Sequence, residues 1–460
     1  GTLAISVTTG LFHTCAILTD GSAYCWGHNN FGSLGDGTNS ASSAPVPVDL
    51  PSGRSAISLS AGRYHTCAIL DDASLYCWGN NGNGQLGDGT NTSSNTPVAI
   101  SLPNGKLAIS VTNGAFHSCA ALNDGSVYCW GAQYGGLGDG TTTSSSTPVA
   151  VSLPSGRTSV SVSAKEYHTC AILDNASLYC WGDNGNGGQL GDGTNTDRST
   201  PVAVSLPSGS TVTSVATNFV HTCSILYNAS IYCWGTGGFG NLGDGTGDSS
   251  TTPVAVSLPS GRTAISIATG RYHSCAILDN ASLYCWGAND YGQLGLGLTS
   301  TSSYPHYTTP QWVDLGSGRH MALSERDFDG DGTLNMFGND ARGSRESVTY
   351  TRATLTAAAH HMCAIFDNHS LYCWGRNYDG QLGLGNTTTQ YSPIRVDALA
   401  DISVSVGAGQ GFICTIVLNG SVLCSGENDF GQLGNGINTT DQYLPHPVVG
   451  IGPSNNTAAV

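Results

Sequence analysis

The sequence predicts an all-β chain in which one four-stranded unit recurs eight times. Three observations carry this: cysteine pairs of constant spacing, a repeat period near fifty residues, and no sustained helical periodicity. The pairs are Cys15 with Cys25, Cys67 with Cys77, Cys119 with Cys129, Cys170 with Cys180, Cys223 with Cys233, Cys275 with Cys285, Cys363 with Cys373, and Cys414 with Cys424. Successive pairs start 51 to 53 residues apart, except for the step of 88 from Cys275 to Cys363, which is one period plus about 36 inserted residues.

Residues 56–99 and their flanks show the unit. "AISLSAG" alternates as a strand, "HTCAIL" and "SLYCWG" are two strands joined at "DDA", "NNGNGQLGDGTNTSSNTP" is a long polar loop, and "VAISL" is a fourth strand. Four such strands make one blade of a propeller or one coil of a solenoid. Folding the hairpin about its turn sets Cys15 opposite Cys25 and Cys67 opposite Cys77. Residues opposed at a non-hydrogen-bonded antiparallel pair lie about 4.5 Å apart at Cα, close enough for a disulfide. One bridge per hairpin is therefore expected, each worth roughly 2 to 3 kcal/mol in the chain-entropy model. Free buried cysteines and a zinc site are the weaker readings, because C-x9-C lacks the tight ligand pairing that zinc requires.

From "HTCAIL" through "YCWG" to "GQLGDGT" and a proline, the units resemble the repeats of the regulator of chromosome condensation family over most of the chain. The resemblance implies a closed β-propeller, usually of seven blades, used for protein–protein contacts in settings from nuclear nucleotide exchange to bacterial β-lactamase inhibition. This chain departs from that pattern in its eight repeats, its cysteine pair in every hairpin and its glycosylation signals. The first unit opens with "LAISV" and the last closes with "HPVVGI", so all eight look complete and eight blades are expected. A seven-bladed ring with one displaced unit, or an open superhelix, is the alternative. If closure is of the overlapping type, "HPVVGI" completes a blade begun by residues 3 to 7. The chain then reads as one domain: repeats one to six in 1–303, an insertion at 304–350, and repeats seven and eight in 351–460.

The net charge is −16, with two lysines, Lys106 and Lys165, and no basic stretch able to neutralise a row of phosphates, which argues against nucleic acid as a partner. No apolar run of about eighteen residues is present that would span a bilayer as a helix. Sixteen evenly paired cysteines point to an oxidising compartment, and Gly1 in place of an initiator methionine fits a processed or partial chain. Asn-X-Ser/Thr sequons stand at Asn91, Asn175, Asn228, Asn280, Asn368, Asn386, Asn419, Asn438 and Asn455. Five of them, Asn175, Asn228, Asn280, Asn368 and Asn419, occupy the tip of the cysteine hairpin in repeats four to eight, whereas repeats one to three carry Asp20, Asp72 and Asp124 there. The expectation is a secreted or cell-surface glycoprotein whose N-linked glycans cover one arc and leave repeats one to three bare for contacts.

Residues repeated around a ring read as architecture. His13, His65, His117, His168, His221, His273 and His361 stand two positions before the first cysteine and are expected to make buried inter-blade hydrogen bonds; Phe412 takes that place in the last repeat. The tryptophans of C-W-G are expected to pack blade on blade, and Ser425, which replaces one of them, marks the last blade as the loosest. "GDG" at Asp36, Asp88, Asp139, Asp192 and Asp244 reads as a tight turn. No catalytic motif or phosphate-binding loop is present, and no enzyme is expected.

The exception to repetition is "DFDGDGTLN". It sets Asp327, Asp329 and Asp331 at alternating positions, with the Thr333 carbonyl and Asn335 following, and resembles the calcium loops of EF-hands and thrombospondin type 3 repeats. Gly338 stands where a bidentate acid is expected, so Asp340 or water would complete the shell; a metal-free acidic loop is the alternative.

Together these features favour an extracellular structural or adhesive glycoprotein that contacts copies of itself or other surface proteins, as a layer or filament. The alternatives are a secreted binding module, lectin or inhibitor, with Phe31, Tyr134, Phe239, Tyr291, Tyr378 and Phe430 placed to stack on sugars, and, last, a propeller hydrolase.

Overall fold

Alternating strand patterns and Gly-rich turns fold into eight four-stranded antiparallel sheets, arranged as the blades of a β-propeller. This computed structural model describes residues 3–132, 136–297, 306–314, 355–366, 368–399, 402–437 and 440–453. Among them the only helical segments are two short 3-10 turns, Pro103–Gly105 and Asp397–Leu399.

Blade two is representative. Its strands are Ala56–Ala61, His65–Leu70, Leu75–Gly79 and Ser94–Ala99, hydrogen-bonded in chain order from the channel outward. The second strand is buried along its whole length, because it is covered on both sides by neighbouring blades. The hairpin register places Cys67 directly opposite Cys77, and the same register recurs in every blade.

All eight disulfides form within their own hairpins, as the spacing predicts. In the first four blades Cys15 bonds Cys25, Cys67 bonds Cys77, Cys119 bonds Cys129, and Cys170 bonds Cys180. In the last four Cys223 bonds Cys233, Cys275 bonds Cys285, Cys363 bonds Cys373, and Cys414 bonds Cys424. The bridged Cα atoms lie 4.1 to 4.2 Å apart, and no free cysteine remains.

The hydrophobic core is divided among the seams between blades. In one seam Cys67, Ile69, Leu75, Cys77 and Leu86 of blade two pack against Ala108, Ala120, Leu122 and Trp130 of blade three. The disulfide is thus part of the apolar wall that the next blade's tryptophan covers. Gly87 makes room for that indole: its φ is +83°, and a Cβ there would fall 2.7 Å from the Trp130 ring.

The ring closes by the same contact. Gly434 of blade eight lies under Trp26 of blade one, and Ala4, Ala16 and Leu18 share one apolar cluster with Phe412, Ile416 and Val422. Backbone bonds run from Ala4 N–H to the Gly420 carbonyl (2.9 Å) and from Gly436 N–H to the Ser43 carbonyl (2.6 Å). Closure is not of the overlapping type. Gln442–Pro447 pairs with Val422–Gly426 of its own blade, because every repeat already carries four strands and leaves no vacancy for an exchanged one.

One boundary differs from the sequence reading. Residues His306–Trp312 form the outer strand of blade six, so they belong to the propeller rather than to the insertion. "YTTPQW" repeats the "STTPVA" pattern of Ser250–Ala255, and Trp312 ends that strand 57% exposed.

Candidate interaction faces

Chain direction within the blades gives the ring two unlike faces. The turns between first and second strands and the long loops between third and fourth strands share one face, here the loop face. The disulfide hairpin tips and the linkers between blades share the other, the tip face.

On the tip face the Asn/Asp equivalence is structural. Asn175 Oδ1 accepts from Ser177 N–H (3.2 Å) and Ser177 Oγ (2.6 Å), while Asp72 Oδ1 accepts from Ser74 N–H (3.0 Å) and Ser74 Oγ (2.5 Å). The turn is the same and only the Asn version carries a glycosylation signal. Asn175, Asn228, Asn280, Asn368 and Asn419 are all exposed, on five consecutive blades. Asn91 and Asn386 are exposed in long loops, and Asn438 and Asn455 lie outside the described residues. Linker cations pair with tip carboxylates: Arg54 with Asp72 (2.9 Å) and Lys106 with Asp124 (2.8 Å), the latter holding the Asp124 carboxyl down at about 2 together with the Ser126 hydrogen bonds.

Inside the seams the histidines are inter-blade linkers. His65 Nε2 donates to Ser118 Oγ (2.9 Å); the Ser118 hydroxyl donates to the Gln85 carbonyl (2.9 Å), which also accepts from Trp130 Nε1 (2.9 Å). His13–Thr66, His117–Thr169, His168–Thr222 and His221–Ser274 repeat the first bond at 2.8 to 2.9 Å. His273 and His361 face Met362 and Ile413 at that position, and their Nε2 atoms find no partner among the described residues. The expected hydrogen bond is therefore present in five seams, with apolar substitution removing it in the others. Burial pushes His65 down to about 3 and His117 to about 4, so these rings are neutral linkers.

The "GDG" aspartates behave as turn residues. Asp88 Oδ1 accepts from Thr90 N–H (2.9 Å) and from Asn81 Nδ2 (3.1 Å). Buried Asn81 organises the loop, donating also to the Thr90 and Thr92 carbonyls while its Oδ1 accepts from Leu86 N–H (2.9 Å). Motif matching does not single out this asparagine; its recurrence two positions after C-W-G, at Asn29, Asn184, Asn289 and Asn377, and after C-S-G at Asn428, is the available signal. In blade eight Ser425 is fully buried and its Oγ has no partner among the described residues.

The loop face is aromatic. Phe12 packs near Tyr64 (5.8 Å) and Phe430 (5.6 Å), Phe31 on Tyr64 (5.6 Å), Phe116 on Tyr167 (6.1 Å) and Phe239 on Tyr272 (4.4 Å). Tyr291 sits against His360 and Tyr378. The loop rings proposed for sugar stacking are thus engaged with neighbouring rings; Phe31 and Tyr378 remain exposed, and Tyr134 lies outside the described residues. Inside this belt the channel opens into a cavity of about 380 Å³, whose lining includes Arg63, Lys165, Glu166 and Arg271. Beyond it, burial and the charges of Asp379, Asp429 and Asp441 push the Glu427 carboxyl up to about 6.

The calcium-loop residues Asp327, Asp329, Asp331, Thr333 and Asn335 lie outside the described residues. Among the described residues no cluster of His, Cys, Asp and Glu has metal-binding geometry, and no helix is long and apolar enough to cross a membrane.

The RCC1-like domain model matches residues 103–460, and the regulator of chromosome condensation repeat model matches 20–69 and 72–121. The chain belongs to the RCC1-like repeat family. Among RCC1-like relatives, the ultraviolet-B receptor UVR8 of Arabidopsis thaliana is 31% identical over 70% of this chain and 74% of its own length. The human E3 ubiquitin-protein ligase HERC2 is 28% identical over 82% of this chain, which spans 7% of that protein. Two solved RCC1-like folds superpose with a TM-score of 0.63. Prp20p of Saccharomyces cerevisiae, 22% identical, covers 90% of this chain and 92% of its own; human WBSCR16, 20% identical, covers 86% and 98%. RCC1-like propellers serve mostly as binding or regulatory modules.

Proposed function

We propose that the chain is an extracellular structural or adhesive glycoprotein, a disulfide-stapled ring that contacts other proteins or copies of itself through its loop face. The observation that carries this reading is the contrast between the two faces. Five of the seven exposed sequons among the described residues crowd consecutive hairpin tips on one face, while the other, with Asn91 and Asn386 alone in its loops, carries the aromatic side chains and the channel mouth. Hydrated glycans oppose close protein contact, whereas partly exposed rings favour it. Eight disulfides fit an oxidising compartment, which agrees with glycan addition. Protein binding accords with the family: a solved structure holds Prp20 bound to Kap60.

Glycopeptide and non-reducing peptide mapping of the protein recovered from culture medium tests this. The expected result is glycan at the tip asparagines and all eight bridges intact. Retention inside the cell with reduced cysteines and bare asparagines would overturn it.

A further inference from the structure

We propose that the channel mouth on the loop face is a binding site for a carboxylate-rich segment of a partner protein. The starting point is the distribution of ion pairs. Arg54, Lys106, Arg157, Arg198, Arg262, Arg376 and Arg395 each stand within 4.0 Å of a carboxylate. Among the described residues only three lysines or arginines have no such partner, and these three, Arg63, Lys165 and Arg271, all line the same cavity. In a chain with 31 acids and 15 bases, three cations without carboxylate partners, Arg63 and Arg271 half-buried and Lys165 exposed, make the mouth a local positive patch open to a ligand of opposite charge.

Their setting fits a ligand. Arg63 lies over Tyr64 (5.6 Å) and Phe116 (5.7 Å), and Arg271 over Phe219 (4.8 Å) and Tyr272 (5.3 Å). The Nε atoms of both guanidiniums are buried without a hydrogen-bond partner among the described residues. Rings hold each guanidinium in place, and its N–H groups are the fork that suits a carboxylate. The two arginines sit on blades two and six of eight, and therefore on opposite sides of the channel. Lys165 stands on blade four, between them, beside Glu166, the one acid of the lining. Glu166 also holds a left-handed backbone at φ 44°, where the turn swings into the mouth.

Cations set on opposite walls require a ligand with more than one acid. The surrounding Phe and Tyr rings favour one with apolar backbone and side chains, which a peptide has and inorganic phosphate lacks. The acids at Asp379, Glu427, Asp429 and Asp441 repel such a ligand from blades seven and eight and confine it to the mouth. This site rests on the loop-face reading and deepens it by naming the chemistry of the partner.

Fluorescence anisotropy of the full glycosylated chain with a labelled peptide alternating Asp, Glu and Gly tests it, beside the matched Asn/Gln peptide and an inorganic phosphate competitor. The expected result is saturable, salt-weakened binding of the acidic peptide alone, weakened at least tenfold in the Arg63→Gln/Arg271→Gln double variant and unchanged in Arg376→Gln. An unchanged near-ultraviolet circular dichroism spectrum would certify the folding of each variant. Absence of binding at low salt, binding indifferent to the double variant, or complete displacement by millimolar phosphate would overturn the site. Failure here with tip glycans and bridges intact would leave the scaffold reading standing.

Discussion

The Nε2 nitrogen of His65 lies 2.9 Å from the Ser118 hydroxyl, across the seam between blades two and three. Ser118→Ala removes the acceptor and leaves a fully buried N–H without a partner. A loss of about 1 to 3 kcal/mol is expected in denaturant unfolding. Ser425→Ala, at a buried hydroxyl that already lacks a partner among the described residues, should stay within about 0.5 kcal/mol of the parent. Equal effects at the two sites would contradict the linker role.

Acid should weaken the ring at pH values above the ordinary carboxylate range. His13, His65, His168, His273 and His361 are held at about 3, and His117 and His221 at about 4, chiefly by burial. Their unfolded values lie near 6.5, so below that pH the unfolded chain binds more protons and stability falls as pH drops. The slope is up to about 1.4 kcal/mol per pH unit for each buried ring. The lowered carboxyls of Asp20, Asp72 and Asp124 lose their contribution only below the ordinary carboxylate range. Melting temperatures should therefore decline steadily from pH 6.5 to 4.5; a flat profile there would refute neutral buried histidines.

Replacing Cys67 and Cys77 together by alanine should cost roughly 2 to 3 kcal/mol. Because Cys67 and Cys77 belong to the seam with blade three, amide hydrogen exchange should rise in blade two and that seam. Exchange rising uniformly around the ring would show that the blades do not behave as separate staples.

Asp72→Asn creates Asn-Ala-Ser on a tip that lacks a sequon. The Asn175 turn shows that asparagine keeps the serine hydrogen bonds, and the lost Arg54 pair is exposed, so stability should change by less than about 1 kcal/mol. With the new glycan confirmed by mass, association through the loop face should be unaltered. Blocked association would instead locate the contact on the bare tip arc of blades one to three.

Much of the ring is legible in the sequence because its signals are local and repeated. Cysteines ten residues apart around a turn determine the hairpin register, from Cys15 and Cys25 to Cys414 and Cys424, and recurrent C-W-G marks the seams. The calcium loop at Asp327, Asp329 and Asp331 stays an expectation of sequence alone. Two features escape for physical reasons. The outer strand His306–Trp312 is hidden because "YTTPQW" lacks the apolar "VA" ending of Ser94–Ala99, Ser145–Ala150, Arg198–Ala203 and Ser250–Ala255. The cavity lining comes from the turns before the histidines, and Arg63 and Arg271, more than two hundred residues apart, come to line one cavity only through ring closure. His273 and His361 carry the same motif as the other histidines, but Met362 and Ile413 already announce in the sequence that those seams lack an acceptor hydroxyl.

Cross-linking mass spectrometry on the native assembly from culture medium addresses the central claim most directly. Cross-links to a partner or a second copy should map to the loop face, around Lys165 and Glu166 at the channel mouth. Cross-links confined to the hairpin tips and inter-blade linkers, around Lys106 and Asp124, would contradict it.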